Sequence, residues 1–204
     1  MFFKDNFKKV GVADIDQLKR KVSEISDEIW MGDSSRQEKF EAHKYTQTIA
    51  FIFDEDFRHE DPTTLPYYSE FKELIEPVCK QVSSFYDSTL KAKRLRKKKN
   101  KQGYFIRVIL VRLLPKGVIT PHTDNGYSLS RCHRVHIPIF TSDKTSFFVG
   151  EEPKNMKEGE IWEINNRNVH AVKNDSEESR IHLIMDYVLP GECVLDYLDG
   201  NLTC

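Results

Sequence analysis

Hydrophobic and polar positions follow a helical period in the first half of the chain. In 14–30 and again in 67–90, apolar residues recur every three to four positions, which predicts two amphipathic helices. We take Asp14 as the N-cap of the first helix and Pro77 as a point where the second bends or divides. Between them, 46–53 reads Thr-Gln-Thr-Ile-Ala-Phe-Ile-Phe, whose β-branched and aromatic residues predict a strand.

The pattern changes at Gly103 to short apolar stretches separated by turn residues. Strands are predicted at 104–114, 119–124, 134–140, 146–149, 159–164, 169–172 and 180–189. Many short strands with turns between them are typical of an antiparallel double-sheet barrel of the jelly-roll or cupin kind, the double-stranded β-helix. We therefore predict a mainly β protein in which a helical N-terminal half buttresses the barrel.

The length and composition are those of one globular domain. The chain has 204 residues, and we predict that 1–102 supply helical support and substrate-side elements, 103–190 the catalytic barrel and 191–204 a C-terminal tail. The formal net charge of -1 argues against a general attraction to nucleic acid or anionic membranes. No apolar run approaches a membrane-spanning length, so we expect a cytoplasmic protein with no membrane partner.

The most biased segment is the basic run at 91–101, Lys-Ala-Lys-Arg-Leu-Arg-Lys-Lys-Lys-Asn-Lys. Such a run is typical of contacts with nucleic acid or with a nuclear import receptor. It is also typical of a solvated helix end that continues into an exposed loop. The near-zero net charge of the whole chain favours the solvated helix end, so we do not expect a nucleic-acid partner.

The stretch Ile-Thr-Pro-His-Thr-Asp at 119–124 carries the first candidate chemistry. His122 and Asp124 are two residues apart, and side chains at that spacing in an extended chain point to the same face. His170 adds a second imidazole from a later predicted strand. Two His and one carboxylate are the facial triad of non-haem Fe(II) oxygenases, which leaves half of an octahedral coordination shell open. A His and an Asp two residues apart often make only a local hydrogen bond, so the metal-site prediction depends on His170.

Cationic side chains recur on one face of two predicted strands. These pairs are Arg134 with His136 and Arg180 with His182. A buried Arg needs an anionic partner, because leaving its charge unpaired costs several kcal/mol. Arg180 follows His170 by ten residues. Its partner is therefore either a ligand carboxylate beside the metal or a protein carboxylate, Glu163 or Asp186.

Five stretches, in order within 111–190, resemble the aspartyl/asparaginyl β-hydroxylase-like family of Fe(II)- and 2-oxoglutarate-dependent dioxygenases. They are Arg-Leu-Leu-Pro-Lys-Gly-Val-Ile-Thr-Pro-His-Thr-Asp (112–124), Arg-Val-His-Ile-Pro-Ile (134–139), Gly-Glu-Ile-Trp-Glu-Ile-Asn-Asn (159–166), His-Ala-Val-Lys-Asn-Asp (170–175) and Arg-Ile-His-Leu-Ile-Met-Asp (180–186). The resemblance covers the predicted barrel, whereas the N-terminal half resembles the family only loosely.

The resemblance implies an enzyme that uses Fe(II), 2-oxoglutarate and O2 to hydroxylate an unactivated C–H bond, with succinate and CO2 as further products. The implied metal ligands are His122, Asp124 and His170. Arg180 is implied to pair with the distal carboxylate of 2-oxoglutarate. Arg134 and His136 match the family's Arg-x-His, which helps to hold this cosubstrate.

Asp124 bears on the substrate. Animal members that hydroxylate Asp and Asn in protein domains have Gly at this position and Ser where Val111 stands, whereas small bacterial amino-acid hydroxylases of the family keep the carboxylate. We therefore predict that the substrate is a free amino acid or a related small molecule. The alternatives are hydroxylation of a protein side chain, a Zn-dependent hydrolase or cupin isomerase on the same barrel, and a non-enzymatic binding module. Candidate substrate contacts are Arg36, His43, Asn125, Tyr127 and Asn166.

Overall fold

Eleven of the thirteen described strands form two antiparallel sheets that face each other, and the last two strands pair only with each other. The computed structural model describes residues 5–32, 41–55, 61–124, 126–192, 194–195 and 202–203. Its strands are β1 (Phe7–Val12), β2 (Thr46–Phe53), β3 (Thr63–Thr64), β4 (Tyr104–Leu113), β5 (Val118–His122), β6 (His133–Phe140), β7 (Thr145–Val149), β8 (Glu152–Lys154), β9 (Glu160–Ile164), β10 (His170–Asn174), β11 (Arg180–Val188), β12 (Val194–Leu195) and β13 (Leu202–Thr203).

The larger sheet has seven strands in the order β1-β9-β6-β11-β4-β2-β3, and the smaller has four in the order β5-β10-β7-β8. Each of the described strand pairs is antiparallel. This arrangement confirms the predicted double-stranded β-helix. The N-terminal half contributes more than helices, because β1 and β2 widen the larger sheet on both sides of the strands from the second half.

Four helices lie in the described part of the chain, together with two short 3-10 turns. They are α1 (Asp16–Ser23), α2 (Asp27–Trp30), α3 (Tyr68–Asp87) and α4 (Leu90–Lys99), with the 3-10 turns at Glu41–His43 and Leu129–Arg131. The prediction of one helix over 14–30 was wrong. The hydroxyl of Ser26 accepts a hydrogen bond from the Ile29 N–H and starts a second helix there. In contrast, α3 continues through Pro77 without dividing.

The basic run forms the separate helix α4. Thr89 caps its start by accepting a hydrogen bond from the Ala92 N–H at 3.1 Å, and Asn100 ends it in a left-handed conformation. The charged side chains are exposed, and four of them occupy the last turn, where the helix dipole favours cations. None of the described helices is long and apolar enough to cross a membrane.

Strand β11 shows why this fold can hold a polar site in its interior. All nine of its residues are buried, because helices cover one face of the larger sheet and the smaller sheet covers the other. The alternation of side chains along the strand separates them into two sets. Ile181, Leu183 and Met185 pack in the core that the sheet forms with α1 and α3. Arg180, His182 and Asp186 point between the sheets.

Strand β1 was not predicted from the sequence. Its residues, Phe-Lys-Lys-Val-Gly-Val, show little alternation, and a bulge between Lys9 and Gly11 interrupts its pairing with β9. Phe7 is nevertheless buried between the sheets, with its ring centre 6.1 Å from that of Phe147 in an edge-to-face arrangement. Strand β1 therefore closes the edge of the larger sheet that would otherwise leave β9 exposed.

Candidate metal and cosubstrate site

The structure brings His122, Asp124 and His170 together at one end of the smaller sheet. His122 ends β5 and His170 begins β10, and the two residues are directly opposite each other in the strand pairing. Asp124 follows β5, where its N–H donates to the Asn166 carbonyl oxygen at 3.1 Å. One nitrogen of each imidazole and one carboxylate oxygen lie within 4.8 Å of one another. This is the group that the spacing of the sequence predicted.

Both imidazoles are oriented by the backbone in the same way. The Nδ1 of His122 lies 2.7 Å from the Thr120 carbonyl oxygen, and the Nδ1 of His170 lies 3.0 Å from that of Asn168. Because a carbonyl oxygen only accepts, Nδ1 carries the proton in each ring and Nε2 keeps the lone pair that binds a metal. Burial lowers the pKa of His170 against the opposing effect of the Asp124 carboxylate, which favours the neutral, ligating form. The donor set therefore fits Fe(II).

Arg134 lies against the triad, on β6 of the larger sheet. Its NH1 donates to the Oδ2 of Asp124 at 2.7 Å. Its Nε and NH2 donate to the two carboxylate oxygens of Asp186 at 2.8 and 2.7 Å. Burial alone would lower the pKa of Arg134, but the two carboxylates raise it well above its ordinary value. All three guanidinium nitrogens are thus engaged by protein carboxylates.

Arg180 is buried in a different way, at the opposite end of the inner face of β11. It is 1% exposed, its NH2 donates to the Nδ1 of His182 at 2.5 Å, and its Nε has no hydrogen-bond partner among the described residues. Within the described chain it forms no ion pair, and burial lowers its pKa to about 9. The two protein carboxylates that the sequence offered are engaged elsewhere. Glu163 contacts His133 at 2.6 Å, and Asp186 binds Arg134.

His182 is a site residue to which the sequence analysis assigned no role. Burial first, then the charges of Arg180 and His136, lower its pKa well below the ordinary value, so its ring is neutral and can accept from Arg180. The signal in the sequence was its position two residues after Arg180, on the same face of the strand. Because His182 cannot take up the positive charge of Arg180, that charge still lacks an anionic partner.

A row of rings connects the metal ligands to Arg180. The ring of Phe147 stacks 6.3 Å from that of His170 and meets the ring of His136 edge-on at 5.1 Å. The ring of His136 in turn lies 5.7 Å from that of His182. The guanidinium of Arg180 is 5.8 Å from the centre of the Phe147 ring. The predicted cosubstrate residue His136 therefore lies between the triad and Arg180, as a site spanning both would require.

The remaining candidates differ in their positions. The ring of His43 lies 5.2 Å from that of His122, edge to face, so this residue borders the metal site. Asn166 is buried and donates from its amide to the Leu129 carbonyl oxygen at 3.0 Å, which ties two loops together near Asp124. Tyr127 is 56% exposed beneath the guanidinium of Arg131. Arg36 and Asn125 lie outside the described residues.

Comparison with known proteins identifies the family. The profile described as "Aspartyl/Asparaginyl beta-hydroxylase" matches residues 73–190, which is more than half of the chain. No curated protein sequence gives a significant match. The matched region begins inside α3 and ends just after β11, so it contains the triad, Arg134 and Arg180.

Solved structures share the fold at low sequence identity. An oxidoreductase of the 2OG-Fe(II) oxygenase family from Burkholderia pseudomallei is 16% identical with a TM-score of 0.53, covering 70% of this chain and 66% of its own. A viral collagen prolyl hydroxylase from Paramecium Bursaria Chlorella virus-1 is 12% identical with a TM-score of 0.52, covering 90% and 96%. AviO1 from Streptomyces viridochromogenes Tue57 is 11% identical with a TM-score of 0.51, covering 92% and 91%.

The family match, the double-stranded β-helix and the His-Asp-His triad agree with one another. The chain belongs to the aspartyl/asparaginyl β-hydroxylase family and is a 2-oxoglutarate-dependent dioxygenase that uses Fe(II), 2-oxoglutarate and O2.

Proposed function

We propose that the protein hydroxylates an unactivated C–H bond of a free amino acid or a related small molecule. In this proposal His122, Asp124 and His170 hold Fe(II). Arg180 binds the distal carboxylate of 2-oxoglutarate. The observation that carries the proposal is the buried charge of Arg180, which has no carboxylate partner among the described residues and lies on the sheet face that also borders the triad.

The charges of the site support a dicarboxylate ligand. At the metal end, the two carboxylates of Asp124 and Asp186 and the guanidinium of Arg134 sum to one negative charge, which a divalent ion converts to one positive charge. Arg180 supplies a second positive charge at the other end. A ligand with one carboxylate at each end neutralises both charges, and leaving either one unpaired in the interior costs several kcal/mol. 2-Oxoglutarate is such a ligand.

Fe(II) and 2-oxoglutarate, when bound, supply the activation of O2 and the oxidising power for C–H hydroxylation, while the protein supplies binding and orientation. The backbone carbonyls of Thr120 and Asn168 keep the Nε2 atoms of both imidazoles available for the metal. Arg180 and the neutral His182 form the anchor at the far end. Phe147, which is buried, places an apolar wall between the two ends and excludes water there.

The position of Arg134 changes the role that we propose for it. The resemblance implied a contact with the cosubstrate, but Nε, NH1 and NH2 of this residue all donate to Asp124 or Asp186. We therefore propose that Arg134 acts on the metal ligand. His136 remains our candidate for a direct contact with 2-oxoglutarate, because its ring lies between Phe147 and His182.

The binding test uses the iron protein under anaerobic conditions. Addition of 2-oxoglutarate is expected to produce a weak visible absorption band at about 500 nm, a property of the Fe(II) chelate. Arg180→Met should weaken 2-oxoglutarate binding at least about 30-fold, since truncating one partner of a buried charge pair costs about 2–5 kcal/mol. Metal affinity should not change. The control is Arg112→Met, because Arg112 lies on the helix-covered face and pairs with Asp27. No band in the wild type would refute the proposed site.

The substrate test measures succinate release with a panel of free amino acids and with peptides that contain Asp or Asn. The proposal predicts that a free amino acid couples succinate release to a mass gain of about 16 Da, the signature of oxygen insertion. Retention of the carboxylate at Asp124 supports this substrate class. Hydroxylation confined to the peptides would contradict it while leaving the metal and cosubstrate assignments intact.

A further inference from the structure

We propose that Asp186 is a positioning residue for the metal, acting through Arg134 on the ligand Asp124. Asp186 is fully buried on β11, directly opposite Arg134 on β6. Its two carboxylate oxygens accept from the Nε and NH2 of Arg134 at 2.8 and 2.7 Å. The remaining nitrogen of the fork, NH1, donates to Asp124 at 2.7 Å. Hydrogen bonds thus connect the three side chains in one line, which runs from Asp186 on the larger sheet through Arg134 to Asp124 at the metal site.

The geometry of this line follows from the planar guanidinium. Two parallel hydrogen bonds to Asp186 fix the plane of Arg134, so that NH1 has a single direction in which to donate. That direction leads to Oδ2 of Asp124. Asp124 follows the end of β5, where its backbone N–H donates to the Asn166 carbonyl oxygen. The bidentate pair with Asp186 therefore aims one guanidinium hydrogen bond at the metal-binding carboxylate.

Charge gives Asp186 a second role in the same line. A guanidinium 2.7 Å from a metal-binding carboxylate competes with a divalent cation for that carboxylate, because both are positive. Asp186 offsets the charge of Arg134 from the far side, at an equal distance. The negative charge of Asp124 then remains available to attract the metal ion, while Arg134 still orients the Asp124 carboxylate. Loss of Asp186 would leave a buried, unneutralised cation beside the metal ion.

The fold offers a matched control for this inference. Asp54, like Asp186, is fully buried, and it accepts from the Nε of Arg107 at 2.5 Å. Arg107 lies on β4, directly opposite Asp186 on the other side of β11. Its described hydrogen bonds go to Asp54 and Ser128. The Asp54–Arg107 pair therefore shares the burial and chemistry of the Asp186–Arg134 pair without the contact to Asp124.

The experiment titrates the full-length protein with Co(II) alone and follows the visible d–d absorption. Asp186→Asn is expected to weaken Co(II) binding about 10–100-fold, the usual effect of removing an outer partner of a metal ligand. Asp54→Asn should lose a similar amount of stability to urea but keep Co(II) affinity within about threefold. Equal weakening in both variants, or no weakening in Asp186→Asn, would overturn the inference.

Two additional experiments separate a folding defect, and a wrong metal site, from the proposed role of Asp186. If the Asn variants do not fold, Asp186→Glu and Asp54→Glu replace them, since each keeps the charge and only shifts the guanidinium that it holds. Weakened Co(II) binding confined to Asp186→Glu supports the inference, and equal affinities overturn it. The inference rests on the proposed metal site, which has its own test. If wild type fails to bind Co(II), or if His170→Ala binds it equally well, the proposed site is wrong rather than the role of Asp186.

Discussion

Arg134 and Arg180 occupy adjacent strands of one sheet and are both buried, yet their surroundings differ. Arg134 donates to two carboxylates from three nitrogens. Arg180 donates to a neutral imidazole and has no carboxylate partner in the described chain. The charge of Arg134 is neutralised within the protein, whereas the buried charge of Arg180 needs an added anion to neutralise it. Burial of a charge therefore does not by itself point to a binding residue, whereas the lack of an anionic partner among the described residues does.

The comparison also separates stability from binding. Removing one member of a buried ion pair destabilises the fold, because the opposite charge stays buried without its partner. Removing a buried charge that has no counter-ion stabilises the fold, because its desolvation cost disappears. The two arginines should therefore respond to the same substitution with opposite signs. Four predictions test this contrast, beginning with the largest expected effect.

Arg134→Met should destabilise the ligand-free protein by about 3–5 kcal/mol, because Asp124 and Asp186 would both lose the guanidinium that they share in the interior. Urea unfolding at neutral pH, followed by circular dichroism, measures this loss. A change below about 1 kcal/mol would show that water or rearrangement satisfies both carboxylates, and it would remove the contrast with Arg180.

2-Oxoglutarate should stabilise the Ni(II)-loaded wild type by about 2.7 kcal/mol when it is present at about a hundred times its dissociation constant. Ni(II) is chosen to prevent turnover. Arg180→Met should lose this stabilisation at the same ligand concentration, whereas Arg112→Met should retain it. Thermal unfolding with and without the cosubstrate makes the measurement. A full ligand effect in Arg180→Met would mean that the distal carboxylate binds elsewhere.

Arg180→Met should stabilise the ligand-free protein by about 1–2 kcal/mol, since it replaces an uncompensated buried cation with an apolar side chain of similar length. The variant should thus be more stable and less able to bind 2-oxoglutarate. The same urea experiment as for Arg134→Met provides the comparison. Destabilisation in this variant would indicate that the bond to His182 matters more than the cost of the buried charge.

His133 tests the same rule with a cation that titrates. Its ring nitrogens lie 2.6 Å from Glu163 and 2.9 Å from Glu192, and Tyr86 stacks on the ring. Burial lowers the pKa of His133, but the bonds to both carboxylates outweigh burial and raise it above the ordinary value. The other carboxylate oxygen of Glu163 contacts Lys8, and the other carboxylate oxygen of Glu192 contacts Lys91.

A raised pKa in the folded protein means that the proton favours folding. The contribution of His133 should be complete below about pH 6.5 and should be lost as the pH rises through its higher folded-state pKa. Unfolding free energies from pH 6 to pH 9 should therefore fall more steeply in wild type than in His133→Gln. Parallel curves for the two proteins would mean that folding does not shift the pKa of His133. We expect this effect to be the smallest of the four.

Local patterns in the sequence predict much of the site. The i, i+2 spacing of His122 and Asp124 predicts a shared face in any extended strand, and the alternation in 134–140 and 180–189 placed the two arginines and their neighbouring histidines on common faces. The predicted strands 104–114, 134–140 and 180–189 match β4, β6 and β11 closely. The break between α1 and α2 was not foreseen, because a short capped helix carries the same apolar spacing as a continuous one.

The sequence by itself determined which side chains share a face, because this depends on spacing along one strand. It also predicted the double-sheet class from the many short strands, and the ligand set from His122, Asp124 and the later His170. Only the tertiary structure decided which charges meet. Pairing of β11 with β6 brought Asp186 to Arg134, which left Arg180 without a carboxylate partner among the described residues. Partners on different strands are set by register and sheet order. Those properties emerge from packing the whole chain rather than from any single segment.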